Sequence, residues 1–194
     1  MKNLALKTQF SPNPMAEIAA ISSVLSSQQL ERSDALNFIV ERACSLTGAS
    51  GGALALQEQG EIVCLASSGQ APPLNSRLRP ESGISGECLR TGRSLLCEDT
   101  HTDARVDREV CDALGIRATA VVPLGTGTQA TGLLEVFARE PHVFRNDHIG
   151  ILRTLGEIAM EQVHEADDKS SSSGPSERKP PQHDFGVKDQ PQHK

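Results

Sequence analysis

The sequence predicts an α+β domain: an antiparallel sheet covered by helices on both faces. Three observations carry that prediction. Two pairs of short apolar runs, 52–56 with 62–67 and 117–124 with 131–139, are joined by glycine-bearing turns in the manner of β-hairpins. Helical spacing of apolar residues brackets the strands at both ends of the chain. A long insertion between the hairpins carries two short helical patterns around one short strand, enough to cover the remaining face of the sheet.

Taken in order, residues 1–14 end in Ser11-Pro12-Asn13-Pro14 and read as a loose lead-in. A helix over 15–27 follows, with Met15, Ile18, Ile21, Val24 and Leu25 on a narrow stripe suited to one neighbour. Ser33 reads as the cap of a second helix, 34–47, with the apolar face Leu36, Ile39, Val40, Ala43 and Leu46 and with Gly48 as its stop. The first hairpin turns through 57–61 at Gly60, and 69–80, with Pro72, Pro73 and Pro80, is a loop across a domain edge. In 82–99 a Ser82 cap opens a short helix that places Ile84, Cys88 and Leu89 on one side. Gly92 stops it, and a strand over 94–97 follows. A helix this short is unstable alone and must lie on something larger. The polar stretch 99–107 leads to a two-turn helix, 107–114, ended by Gly115. The second hairpin turns at Gly125-Thr126-Gly127. The last helix starts after Phe144, near Asn146 or Asp147, and carries Ile149, Leu152, Leu155, Ala159 and Val163 to residue 166. From 167 to 194 the chain is dominated by Ser, Pro, Gln, Lys and Asp. Such a composition cannot bury enough apolar surface to offset the entropy of ordering, so a disordered tail is expected.

Composition narrows the function classes. The 194 residues suffice for one domain with tails, here 15–166 between the lead-in and the tail. Aromatic residues are 3% with no Trp or Tyr, so the core is Leu, Ile, Val and Ala with Phe38, Phe137 and Phe144 as large anchors. Residues 15–166 hold 12 arginines and no lysine against 20 acidic residues, a balance of −8. Nucleic-acid phosphates would be repelled, so no nucleic-acid partner is expected. No apolar run approaches the roughly 20 residues that span a membrane, and the N-terminus lacks a signal-peptide core. No membrane partner and a cytoplasmic location are expected. Five cysteines form no Cys-x-x-Cys pair and no zinc spacing, so they read as reduced, buried, small apolar side chains, with no metal site.

Four stretches, in this order and spacing, resemble a GAF domain across 15–166. They are 43–56 (Ala-Cys-Ser-Leu-Thr-Gly-Ala-Ser-Gly-Gly-Ala-Leu-Ala-Leu), 83–99, 118–124 (Ala-Thr-Ala-Val-Val-Pro-Leu) and 132–137 (Gly-Leu-Leu-Glu-Val-Phe). Phe144-Arg-Asn-Asp-His148 and the helix after it extend the likeness. The resemblance implies terminal helices on one face of the sheet and short helices over a ligand cleft on the other. It also implies a sensory or regulatory module in signal transduction, one that binds a small molecule or a partner signalling protein. The terminal helices, 15–27 and 149–163, carry spare apolar positions at Ile151, Ile158 and Met160, which predict a homodimer.

In the family, ligands sit between the sheet and the segment that corresponds to 84–114. The residues expected to face such a cleft are Ile84, Ser85, Cys97, Asp99, Asp107, Cys111, Thr119 and Val121. The plainer reading makes Ser82 and Asp107 helix caps and Asp99 a strand end, with the cleft filled by its own side chains. No cofactor is identified. The cyclic-nucleotide signature needs a lysine, and none lies between Lys7 and Lys169. A bilin site pairs its attachment cysteine with histidine, whereas Asp112 follows Cys111, and haem would need an axial ligand where only His101 lies. Catalysis is not expected. The enzymatic alternative is a GAF-fold reductase of free methionine sulfoxide, which works by thiolate attack and a resolving thiol. For it Cys111 lies close to one family cysteine, Ser85 stands where another is expected, and Cys88 and Cys97 are nearby.

Overall fold

The structure is a computed structural model that describes residues 13–28, 30–125 and 130–172, apart from the side chains of 167–172. The helices are α1 (Pro14–Ser27), α2 (Arg32–Thr47), α3 (Gly83–Thr91), α4 (Arg108–Leu114) and α5 (Asn146–Ser172). The strands are β1 (Gly51–Glu58), β2 (Glu61–Gly69), β3 (Arg77–Leu78), β4 (Leu95–Cys97), β5 (Ala118–Leu124) and β6 (Gly132–Ala138). They pair antiparallel in one sheet, in the order β3-β2-β1-β6-β5-β4. This is the GAF-like α+β architecture that the sequence predicts.

Strand alternation sorts the side chains to two faces. On one face Leu54 of β1, Ala118, Ala120 and Val122 of β5, and Leu134, Val136 and Ala138 of β6 join the main core. There Leu36, Ile39 and Val40 of α2 meet Leu152, Leu155 and Ala159 of α5. Each of these leucines is at most 1% exposed, and burying one contributes about 1.5–3 kcal/mol. On the opposite face α3 lies against β5 and β6, packing Ile84, Cys88 and Leu89 over Ala55, Val121 and Leu133. A third small cluster, Ala53, Cys64, Ile116 and Phe137, lies beyond it on that face.

Local differences from the expected elements have physical reasons. The α2 helix begins at Arg32, and its N-cap is Glu31, with no side-chain cap bond, rather than Ser33. Burial of Ala35, Leu36 and Ile39 holds this end in place of a cap. Ser82 is the N-cap of α3 but accepts no capping bond. The 69–80 loop contains β3, which pairs Ile62 with Leu78 and Val63 with Arg77. The last helix continues past 166 to Ser172, while the rest of the expected tail, 173–194, and the start of the lead-in, 1–12, lie outside the described residues. Ile18, Ile21 and Leu25 of α1 are 5%, 3% and 5% exposed within one chain. Ile158 is buried as well, whereas Val24, Ile151 and Met160 are half-buried and Met15 is exposed. No helix among the described residues is long and apolar enough to cross a membrane.

Candidate functional site

On the face away from the terminal helices, a cavity of about 570 Å³ lies between the sheet, the start of α3 and α4. Ala53, Thr119, Leu133, Glu135 and Phe137 form its floor, Ile84 and Ser85 one wall, and Val110, Cys111 and Leu114 of α4 the other. Pro72, Pro73, Arg77 and Arg79 line it from the β2–β3 side. Cavities of this volume with mostly apolar walls and a few convergent polar groups are typical of small-molecule sites.

The polar centre of that floor is Glu135. Its place on β6 between Leu134 and Val136, which face the helices, turns its side chain to the cavity. Its cross-strand neighbours are Ala53 and Val121, both apolar. The Ser85 hydroxyl donates to Glu135 Oε2 at 2.8 Å, and Thr119 Oγ1 lies 2.9 Å from Oε1. Burial pushes this carboxyl above its ordinary value, and the two hydroxyls offset the push only in part. Of the lining cations, Arg77 is engaged by Glu61 at 2.9 Å, and Arg79 is exposed.

The cysteines near the cleft are proton-bound thiols. Cys111, half-buried on the cavity wall, is pushed up to about 11 by desolvation, then by Glu135, Asp107 and Asp112. Cys88 is pushed up to about 12 by burial and then by Glu135. Cys97, also raised to about 12 by burial, donates its thiol to Asp103. That carboxylate is clamped by Arg105 at 2.6 Å and held down to about 2. Reactive thiols are depressed by a nearby cation or a helix N-terminus, whereas burial and neighbouring carboxylates dominate at Cys88, Cys97 and Cys111 and raise them.

The outer wall is lightly held. No residue of α4 is buried, and Val110 is 52% exposed. Asp107 caps the helix by accepting from Val110 N at 3.2 Å, and Gly115 ends it with φ +65°. The Gln70 side chain donates to the Leu114 carbonyl and accepts from Arg139. His101 Nε2 meets Asp112 at 2.9 Å, and the bidentate Arg117–Asp99 pair stands behind His101.

Of the residues expected at the cleft, Ile84, Ser85, Asp107, Cys111 and Thr119 line the cavity. Cys97, Asp99 and Val121 do not. Cys97 is turned to Asp103, Asp99 is bound to Arg117 and to the His101 amide, and Val121 is packed beneath α3. Cys88 of the alternative thiol set is fully buried in that same layer. Sequence reasoning left out Glu135, Cys64, Phe137 and Arg79. A lone acid in the apolar run of β6 was the available signal for Glu135. Among the described residues no group of three His, Cys, Asp or Glu side chains is placed to hold a metal ion.

A family profile described as GAF domain matches residues 29–161. No curated protein matches the chain. Many solved structures share its fold. The GAF domain of an Acinetobacter phosphoenolpyruvate-protein phosphotransferase is 16% identical, with TM-score 0.70 over 83% of this chain and 99% of that one. The phycocyanobilin-bound GAF domain of a cyanobacterial phytochrome is 17% identical, with TM-score 0.65 over 84% and 99%. The free methionine-R-sulfoxide reductase of Neisseria meningitidis, solved with its substrate, is 17% identical, with TM-score 0.69 over 83% and 97%. This last likeness overturns the expectation that the chain is not an enzyme, because the fold itself hosts enzymes and so gives no ground for that exclusion.

Proposed function

The chain belongs to the GAF domain family, and from that membership we propose that it is a sensory or regulatory domain whose signal is a small molecule bound between the sheet and the α3–α4 cover. The observation that carries this reading is the cavity of about 570 Å³ with one polar centre, Glu135, held by Ser85 and Thr119 among apolar walls. GAF domains bind small molecules, the phycocyanobilin of the cyanobacterial phytochrome domain among them. Native mass spectrometry of the purified protein, followed by a thermal-shift screen of metabolites, tests it. The expected result is an adduct, or a compound that raises the melting temperature of the wild type but not of Ser85→Trp, whose indole would fill the cavity. A bare mass and no stabilising compound sink the proposal.

A second reading is favoured by the presence of Cys111 on the wall of the same cavity as Glu135, in a fold shared with free methionine-R-sulfoxide reductases. In that reading Cys111 attacks the sulfoxide sulfur. The thiol raised to about 11 is its obstacle, since little thiolate exists at neutral pH. Free methionine-R-sulfoxide with dithiothreitol decides the matter. Turnover lost in Cys111→Ser establishes the reductase, and no turnover between pH 7 and 9 retires it.

A further inference from the structure

We propose that the cleft takes a small organic cation, an ammonium or amidinium head on an apolar body, seated against Glu135, and that its binding releases the Glu135 proton. This rests on the reading of the cleft as the ligand site.

The argument begins with the hydrogens available around the carboxyl group. Thr119 Oγ1 lies 2.9 Å from Glu135 Oε1 and 3.1 Å from the Val136 carbonyl. A hydroxyl carries one hydrogen and donates along one of these contacts only. A protonated Glu135 supplies the second hydrogen, donating to Thr119 while Thr119 donates to Val136. Ser85 serves the other oxygen at 2.8 Å. These distances therefore accommodate a neutral carboxylic acid at Glu135 with each contact satisfied.

The charges facing Glu135 agree. Its strand neighbours across the sheet are Ala53 and Val121. From α3 and α4 it faces the thiols of Cys88 and Cys111, whose own ionisation its charge would oppose. Asp107 at the start of α4 adds a second negative group to the lining, and Cys64 of β2 adds another thiol. Arg77 is occupied by Glu61, and Arg79 is exposed. A glutamine could offer a neutral acceptor ligand the same hydrogen bond. A cation is the ligand for which a carboxyl group has no neutral substitute. Phe137, on the same face two residues along β6, supplies an aromatic surface for the cation or its apolar body. On binding, the O–H bond of Glu135 breaks, its proton passes to solvent, and the carboxylate pairs with the incoming cation.

The test uses the full chain and three probes of one size: n-pentylammonium, 1-pentanol and pentanoate. Titration calorimetry is run from pH 6 to 8 in phosphate and in Tris. The expected result is that pentylammonium binds at least tenfold tighter than the other two. Its affinity is expected to rise with pH, and the heats in the two buffers should differ by their ionisation enthalpies in proportion to the proton released. Glu135→Gln is expected to remove the preference and the buffer dependence. If that variant does not fold, the wild-type buffer comparison still decides. Pentylammonium binding no tighter than pentanol, or binding without proton release, overturns the inference. In that event pentanol or pentanoate protecting Cys111 from N-ethylmaleimide leaves the cleft reading standing. No binding by any probe overturns the inference too, and a bare native mass with an empty metabolite screen then removes the cleft reading with it.

Discussion

A carboxyl group set between Ala53 and Val121 can avoid an unpaired buried charge by keeping its proton or by finding a cation. Burial pushes the Glu135 carboxyl towards the first course, and stability should record it. The carboxyl is raised above its ordinary 4.5 in the folded protein, so the stability it contributes is complete below pH 4.5 and is lost as pH rises through the folded value. Glu135→Gln keeps the shape and does not titrate. Urea unfolding of both proteins from pH 4.5 to 8 should therefore show the variant gaining on the wild type, by at most about 1.4 kcal/mol per pH unit for one proton. Parallel curves would mean that Glu135 is ionised and paired. The residue was visible in the sequence but its role was not. Every position of β6 from Gly132 to Ala138 is buried, so polar–apolar alternation does not announce which face residue 135 takes. Pairing with Val121 and Ala53 settles that, and pairing is a long-range property.

At the scale of elements, the two covers of the cleft differ in anchorage. The α3 helix buries Ile84, Cys88 and Leu89, whereas α4 has no fully buried residue, packs only Cys111 and Leu114 partly against the sheet, and is held chiefly at its ends. One end is the Asp107 cap; at the other, Gly115 supplies the left-handed turn and Gln70 holds the Leu114 carbonyl. Such an element opens on its own, with a free energy below that of global unfolding. Gly115→Ala forces alanine to φ +65° and drives its Cβ into the Gln70 side-chain amide. The cost is about 1–2 kcal/mol, and it should fall on α4 alone. Amides of 108–116 should exchange roughly five- to thirty-fold faster in the variant, while those of β5 and β6 stay protected. Slowed or unchanged exchange in 108–116 would show that α4 is held by something other than its ends. Both covers were legible in the sequence because a glycine stop is local chemistry. The two-residue β3 was not, since its existence depends on Ile62 and Val63 across the sheet.

For the whole molecule, an apolar stripe on a helix states that something covers it but not what. The stripe on α1 is covered by its own chain, where Ile18, Ile21 and Leu25 join the core that α2 and α5 build. The two terminal helices come together from opposite ends of the sequence, so their packing was beyond the reach of local pattern. It changes the meaning of a charge placed in that stripe. Ile21 is 3% exposed, and a glutamate there would have to be buried unpaired or pull α1 away from α5. Ile21→Glu is therefore expected to destabilise a single chain by about 2–5 kcal/mol, as removal of a buried aliphatic side chain does. Because α1 touches α2 and α5 but no strand extensively, the sheet should persist, and the loss should appear first as exposure of 14–27 to proteolysis. Urea unfolding and light scattering on the same samples separate this from pairing between copies. A large drop in stability that is independent of protein concentration, with the mass unchanged from wild type, is the outcome expected of packing within one chain. Full stability with a mass halved from that of the wild type would assign the stripe to a second copy instead.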